Sequence, residues 1–211
     1  GYTPGTSLKL EMKHKVLGKE IERLINALSK LPSIGNKTAS RLSLFLMKNS
    51  PELTMEIARS MVEARKKVKT CQICNSFIFN NICLCMDSTR DKKTLCIVEN
   101  VFDLISIENS NEFNGQYHVL QGLLSVSQGI GPDDLKIDLL IDRIKKNMFE
   151  EIIFATDPTN DGEFTAQYIK ERASKYCKKI SRIAIGMPIG SEVDYIDQNT
   201  LTKAFLDRRK M

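Results

Sequence analysis

No run of apolar residues in this chain approaches the ~20 that a membrane-spanning helix requires. No apolar segment of the kind that heads a secretory signal is visible either. Both absences argue against an exported or membrane-embedded protein and point to a reducing cytoplasm. Internal repeats and low-complexity tracts are also missing, which leaves an ordinary globular reading. Cysteine is sparse, with six in 211 residues, yet four of the six crowd into the stretch from Cys71 to Cys85.

A chain of 211 residues suits one large domain or two small ones, and 42% hydrophobic residues are enough for their cores. Charge is uneven along it. Residues 1–93 carry 17 Lys and Arg against 8 Asp and Glu, a net of +9. Residues 94–211 carry 14 against 18, a net of −4. A polyanion would meet the N-terminal part first, although Lys-rich solvated helix faces would produce the same numbers. Residues 1–18 read as a tail outside the fold.

Cys71 and Cys74 are separated by two residues, and Cys83 and Cys85 by one. Two close thiol pairs on a short connection suit a tetrahedral zinc ion, each pair delivering two thiolates from a tight turn. Four protein ligands leave no open position, so such a site is structural. The alternative is free buried thiols, or disulfides in a secreted protein. The single spacer, Leu84, shortens the second turn and is expected to strain it. Cys96 and Cys177 stand alone in apolar surroundings and read as small core residues.

Before the cysteines the pattern is helical. Ile21, Leu24, Ile25 and Leu28 follow helical spacing over Glu20–Ser29. Pro32 ends that helix, and Gly35 is read as permitting a tight turn. A second helix starts at Asn36 or Lys37, with Ala39, Leu42, Phe45 and Leu46 on its apolar side. A third is expected over Pro51–Val68, capped by Ser50 and ending in a cationic run. The N-terminus of the second helix offers free N–H groups and a positive dipole end, a ready phosphate cradle. Lys37 and Arg41 add charge beside it, and are the residues expected to bind DNA. The string Leu31-Pro32-Ser33-Ile34-Gly35-Asn36-Lys37-Thr38-Ala39 resembles the helix-hairpin-helix motif, which grips DNA backbone without reading sequence. An ordinary helical hairpin turn is the competing explanation.

After the cysteines, strands and helices alternate, the pattern of an α/β fold with a mainly parallel sheet. Strands are expected over Leu95–Val98, Tyr117–Leu120, Glu151–Ala155 and Arg182–Ile185, with helices over Asp134–Lys146 and Gly162–Tyr176. Glu99 stands at one strand end, and Asp157, Asp161 and Glu163 follow another. Functional groups gather at such ends, so these carboxylates offer either a Mg²⁺ site or a docking surface. They also suit helix starts, where anions are favoured anyway. The arrangement resembles the Toprim domain of topoisomerases, primases and certain nucleases, with Thr159 where that domain has a second aspartate.

The order of these parts resembles the RecR family of bacterial recombination mediators over about Lys19 to Arg209. Local strings agree: Tyr117-His118-Val119-Leu120-Gln121-Gly122, Gly129-Ile130-Gly131-Pro132-Asp133-Asp134-Leu135, and Ala155 to Glu163. The resemblance implies a helix-hairpin-helix region over 19–69, a zinc finger over 70–92, a Toprim domain over 93–188, and a Walker-B-like segment with a C-terminal helix over 189–211. In that last segment Ser191 and Asp194 depart from the family's usual glycine and glutamate. The resemblance implies a non-catalytic DNA-binding protein that works with RecO and RecF. Such proteins form dimeric or tetrameric rings on DNA and assist recombinase loading at single-stranded gaps in recombinational DNA repair. It also implies a cytoplasmic, nucleoid-associated location, with the Toprim part as the docking surface for RecO. A metal-dependent nuclease, primase or topoisomerase-like enzyme is the competing class, and a purely protein-binding module is a third.

Overall fold

The computed structural model describes residues 18–78 and 81–208. The expected tail, apart from Gly18, lies outside the described residues, as do the last three residues of the C-terminal segment. The chain divides into two compact units between Lys67 and Val68.

The first unit is helical: α1 (18–28), α2 (Asn36–Lys48) and α3 (Pro51–Lys67). Ile25 of α1 and Ala39 and Ser43 of α2 are buried, whereas α3 buries none of its residues. The apolar side expected for α2 is only partly enclosed, because Leu42 is 39% and Phe45 54% exposed. The turn between α1 and α2 also differs from expectation. Ser33 takes the left-handed conformation at φ 63°, while Gly35 is extended at φ −77°, ψ 170°. The backbone reversal therefore falls two residues earlier than the glycine.

The second unit begins with a small antiparallel hairpin, β1 (Lys69–Thr70) against β2 (Phe77–Ile78). A four-stranded parallel sheet follows, with β3 (Thr94–Val98), β4 (Gln116–Val119), β5 (Glu151–Ala155) and β6 (Lys179–Arg182) in spatial order β4-β3-β5-β6. Helices α4 (Val101–Ser110), α5 (Ile137–Asn147), α6 (Asn160–Ala173) and α7 (Gln198–Leu206) complete it. Alternating side chains of β3 and β5 feed two cores, as a two-sided sheet requires. Leu95, Ile97, Ile152 and Phe154 pack with residues of α5 and α6. Cys96, Val98 and Ala155 pack with Val101 and Leu104 of α4. Cys96 and Cys177 are each 3% exposed, in keeping with core packing.

The expected strand at 182–185 is displaced. The strand that pairs with β5 runs from Lys179↔Glu151 to Arg182↔Phe154, and Ile183 beyond it is 49% exposed. β6 is an edge strand, so only one side of its backbone is paired and charged residues are tolerated there. Lys179 and Ser181 both bond the Glu151 carboxylate, at 2.7 and 2.9 Å. Among the described residues no helix is long and apolar enough to cross a membrane.

A four-cysteine centre, an acidic sheet end and a candidate nucleic-acid interface

Two different turns deliver the four thiols. Asn75, in the left-handed conformation at φ 56°, closes the first: its N–H donates to the Cys71 carbonyl, and the Cys71 N–H donates to the Ser76 carbonyl. The second is a single 3-10 turn over Leu84–Met86, closed by the Met86 N–H on the Cys83 carbonyl. That tighter helix explains how one spacer suffices. Sγ atoms of Cys83 and Cys85 lie 3.3 Å apart, those of Cys74 and Cys83 3.3 Å, and those of Cys71 and Cys85 3.6 Å. All four sulfurs fall within 4.8 Å of one another, and none is in a disulfide. Sulfurs about 2.3 Å from a tetrahedral ion lie roughly 3.8 Å apart, so a small outward relaxation would admit one. The cluster can hold a metal ion.

The thiols differ in acidity. Burial is the largest influence on Cys71 and pushes its pKa up, but N–H donors of Cys74 and Ile73 and the neighbouring thiols outweigh it, leaving about 7. Cys83 is pushed up to about 12, mainly by burial. Cys74 is raised, first by its hydrogen bond with Cys85 and then by burial.

The first cysteine turn docks on the open edge of the sheet. The Val119 N–H donates to the Cys74 carbonyl at 2.9 Å, Asn75 Nδ2 to the Val119 carbonyl at 2.8 Å, and Gln121 Nε2 to the Asn75 carbonyl at 2.9 Å. The turn thus satisfies edge groups of β4 that would otherwise be open to unwanted pairing.

The acidic residues behave differently from the cysteines. β4 and β5 flank β3 on opposite sides, so the carboxyl ends of β3 and β5 form the point where the strand order reverses. Glu99 and Asp157 stand there. Burial, then Asp157, then Asp103 push the Glu99 pKa up. Glu163 is ion-paired, 3.4 Å from both Arg182 Nη2 and Lys203 Nζ. Among the described residues the cysteines are the one group of three or more such side chains that could hold an ion, so Glu99, Asp157, Asp161 and Glu163 do not close into one. Thr159 caps α6, its Oγ1 accepting from the Gly162 N–H at 3.1 Å. Gly162 is obligatory there, since a Cβ would sit 2.0 Å from the Asp157 carbonyl oxygen.

In the helical unit, the N-terminus of α2 carries no side-chain cap and no acidic residue in its first turn. By contrast α4, α6 and α7 are capped by Asn100, Thr159 and Asp197. Lys37 and Arg41 lie one turn apart on α2, both exposed and without an ion-pair partner among the described residues. A side chain at Gly35 would meet nothing within 4 Å, so the approach to these N–H groups is open.

Comparison with known proteins bears on the whole arrangement. Residues 21–65 match the RecR helix-hairpin-helix family, 93–184 the Toprim domain and 186–209 the RecR C-terminal family. Recombination protein RecR of Francisella philomiragia is 42% identical over 195 residues, covering 92% of this chain and 96% of the relative. The chain belongs to the RecR family. Recombination protein RecR of Amoebophilus asiaticus is likewise 42% identical over 191 residues, 90% of this chain and 96% of the relative. A RecR from Francisella tularensis is 40% identical over 198 residues, 93% and 98%. The expected family and α/β fold class are therefore borne out, and the chain is a recombination protein by family. Reasoning from residues alone missed the docking of the cysteine turn on β4. Asn75, a left-handed residue just after Cys74, was its one local signal.

Proposed function

We propose that this RecR-family chain is a non-catalytic DNA-binding mediator of recombinational repair. The observation that carries the reading is the open, uncapped and acid-free N-terminus of α2, flanked by exposed Lys37 and Arg41. N–H groups at a helix start and two cations one turn apart suit a sugar-phosphate chain and ignore base identity. The protein assembles as a dimeric or tetrameric ring on DNA and assists recombinase loading at single-stranded gaps in the cytoplasm, at the nucleoid. The sheet end with Glu99, Asp157, Asp161 and Glu163 is the surface offered to RecO, with RecF as the further partner. Cys71, Cys74, Cys83 and Cys85 hold one Zn²⁺, since four thiolates in a closed site favour zinc and leave no coordination position for chemistry. Domain limits at 19–69, 70–92, 93–188 and 189–211 accord with this division of labour.

Native mass measurement, with and without gapped DNA, tests the reading. The expected result is an oligomer carrying one zinc per chain that shifts by the mass of the DNA. A zinc-loaded protein that stays free of DNA at low salt overturns it. The competing reading is a Mg²⁺-dependent nicking enzyme, favoured by the raised Glu99 beside Asp157 and opposed by the ion-paired Glu163 and the capping role of Thr159. Plasmid nicking with Mg²⁺ or Mn²⁺, abolished by Glu99→Gln, would decide for the enzyme.

A further inference from the structure

Arg143 of α5 is a buried cation in ion-pair contact with no carboxylate among the described residues. It is 7% exposed. Its Nη1 donates to the Tyr117 carbonyl at 2.5 Å, its Nη2 reaches Gln116 Oε1 at 3.4 Å, and its Nε is buried without a partner. Neutral acceptors satisfy part of its hydrogen bonding, and the Phe149 ring, 5.8 Å from its guanidinium carbon, offers a π-face rather than a counter-ion. A buried charge left uncompensated is strongly unfavourable, so a counter-charge is required.

The first cysteine turn supplies the direction. Gln72 and Ile73, between Cys71 and Cys74, line a groove of about 320 Å³ together with Leu139, Arg143, Asp142 and Lys146, and Asp142 lies outside ion-pair distance of Arg143. The backbone of that turn is fixed to Val119, two residues beyond the carbonyl that Arg143 holds. Burial lowers the Arg143 pKa, and the four cysteines are the leading groups that act against it. Four thiolates around a divalent ion carry a net charge of −2, which the ion alone does not cancel.

We propose that Arg143 is the charge-compensating positioning residue of the four-thiolate centre. This deepens the zinc reading above and rests on it. The guanidinium touches no sulfur; it acts through the field it sets at the thiolates, while its Nη1 ties α5 to the β4 edge on which the turn sits. Metal occupancy and burial of Arg143 then support one another. When the metal leaves and the thiols take up protons, the cation is left without a counter-charge and moves toward water.

The test compares Arg143→Gln, which keeps a hydrogen-bond donor for Tyr117 but no charge, with Arg143→Lys, which keeps the charge. Zinc is titrated against a chromophoric chelator. R143Q is expected to lose about 10-fold or more in zinc affinity, the scale of outer-shell effects, and R143K to lie closer to the parent protein. Equal affinities for R143Q and the parent, or equal losses in both variants, overturn the assignment. A second measurement needs no variant. Arginine-specific dicarbonyl labelling of the parent protein, read by peptide mass, is compared before and after chelation. Arg143 is expected to become several-fold more reactive while Arg90, buried but paired with Glu108, stays protected. Equal labelling of the two, or no change at Arg143, counts against it. Parent protein that binds no zinc would refute the metal reading itself, a result distinct from a zinc-loaded protein with an indifferent Arg143.

Discussion

Arg90 and Glu108 form a two-pronged ion pair, with Nη1 2.9 Å from Oε2 and Nη2 2.6 Å from Oε1. The pair fastens the exit of the cysteine-bearing segment to α4. Arg90 Nε also donates to the Gly115 carbonyl, and its guanidinium lies 5.4 Å from the centre of the Tyr117 ring. The Arg90 side chain is 7% exposed and that of Glu108 27%. Arg90→Ala should therefore cost roughly 2–4 kcal/mol, less than a wholly buried pair because Glu108 keeps some solvent. The pH dependence follows in sign. Hydrogen bonding from Arg90 holds the Glu108 pKa below its ordinary 4.5. Its stabilising contribution is thus fully present above that value and is lost as pH falls through the lowered one. Denaturant unfolding of parent and Glu108→Gln at pH 7 and in the acid range checks this: the gap between them should shrink on acidification.

Sequence pattern was sufficient wherever a residue's role depends on its near neighbours. β5 matches its apolar run because a central strand, covered on both faces, must be apolar. β6 was misplaced because an edge strand escapes that requirement, and the more apolar Ile183-Ala184-Ile185 lies beyond the pairing. Gly35 suggested the turn, but the left-handed residue is Ser33, and the glycine instead leaves open space. The departure at Thr159 looked like a lost carboxylate; the hydroxyl caps α6 instead. Arg143 could not be read at all. Its relation to Tyr117 spans 26 residues and depends on tertiary placement alone.

Thiol reactivity separates the metal site from the core. Chelation should let the four clustered cysteines react with a thiol reagent, since removing the ion takes a bond from every one of their sulfurs. Cys96 and Cys177, each 3% exposed within the two sheet cores, should stay unreactive until global unfolding. Six thiols reacting together on chelation would mean that the sheet does not hold without the metal.

Two glycines should respond in opposite ways to alanine. Gly162→Ala drives a Cβ to 2.0 Å from the Asp157 carbonyl oxygen, so the start of α6 must move. The expected loss is roughly 2–4 kcal/mol, read as a lower denaturation midpoint. Gly35→Ala meets nothing within 4 Å at an ordinary φ of −77°, so stability should change by no more than about 1 kcal/mol. DNA affinity should nevertheless fall, because the methyl group intrudes where a phosphate would approach the N–H groups of α2. A Gly35→Ala protein that binds DNA as the parent does would remove this turn from the interface.

Lys37→Ala combined with Arg41→Ala isolates the electrostatic part of DNA binding. Both side chains are exposed and without ion-pair partners among the described residues, so the folded state should lose within about 0.5 kcal/mol. Each phosphate contact contributes about 0.9 to the slope of log affinity against log salt on duplex DNA, and about 0.7 on single strands. Removing two contacts should flatten that slope by roughly 1.8 or 1.4 respectively. The weakening should be the same on unrelated sequences, because phosphates carry no base information. Measured from about 50 to 200 mM salt, the two slopes distinguish a backbone contact from a merely nearby charge. Lower affinity with an unchanged slope would mean that these side chains shape the site without touching DNA, and that the cations facing the phosphates lie elsewhere on the chain.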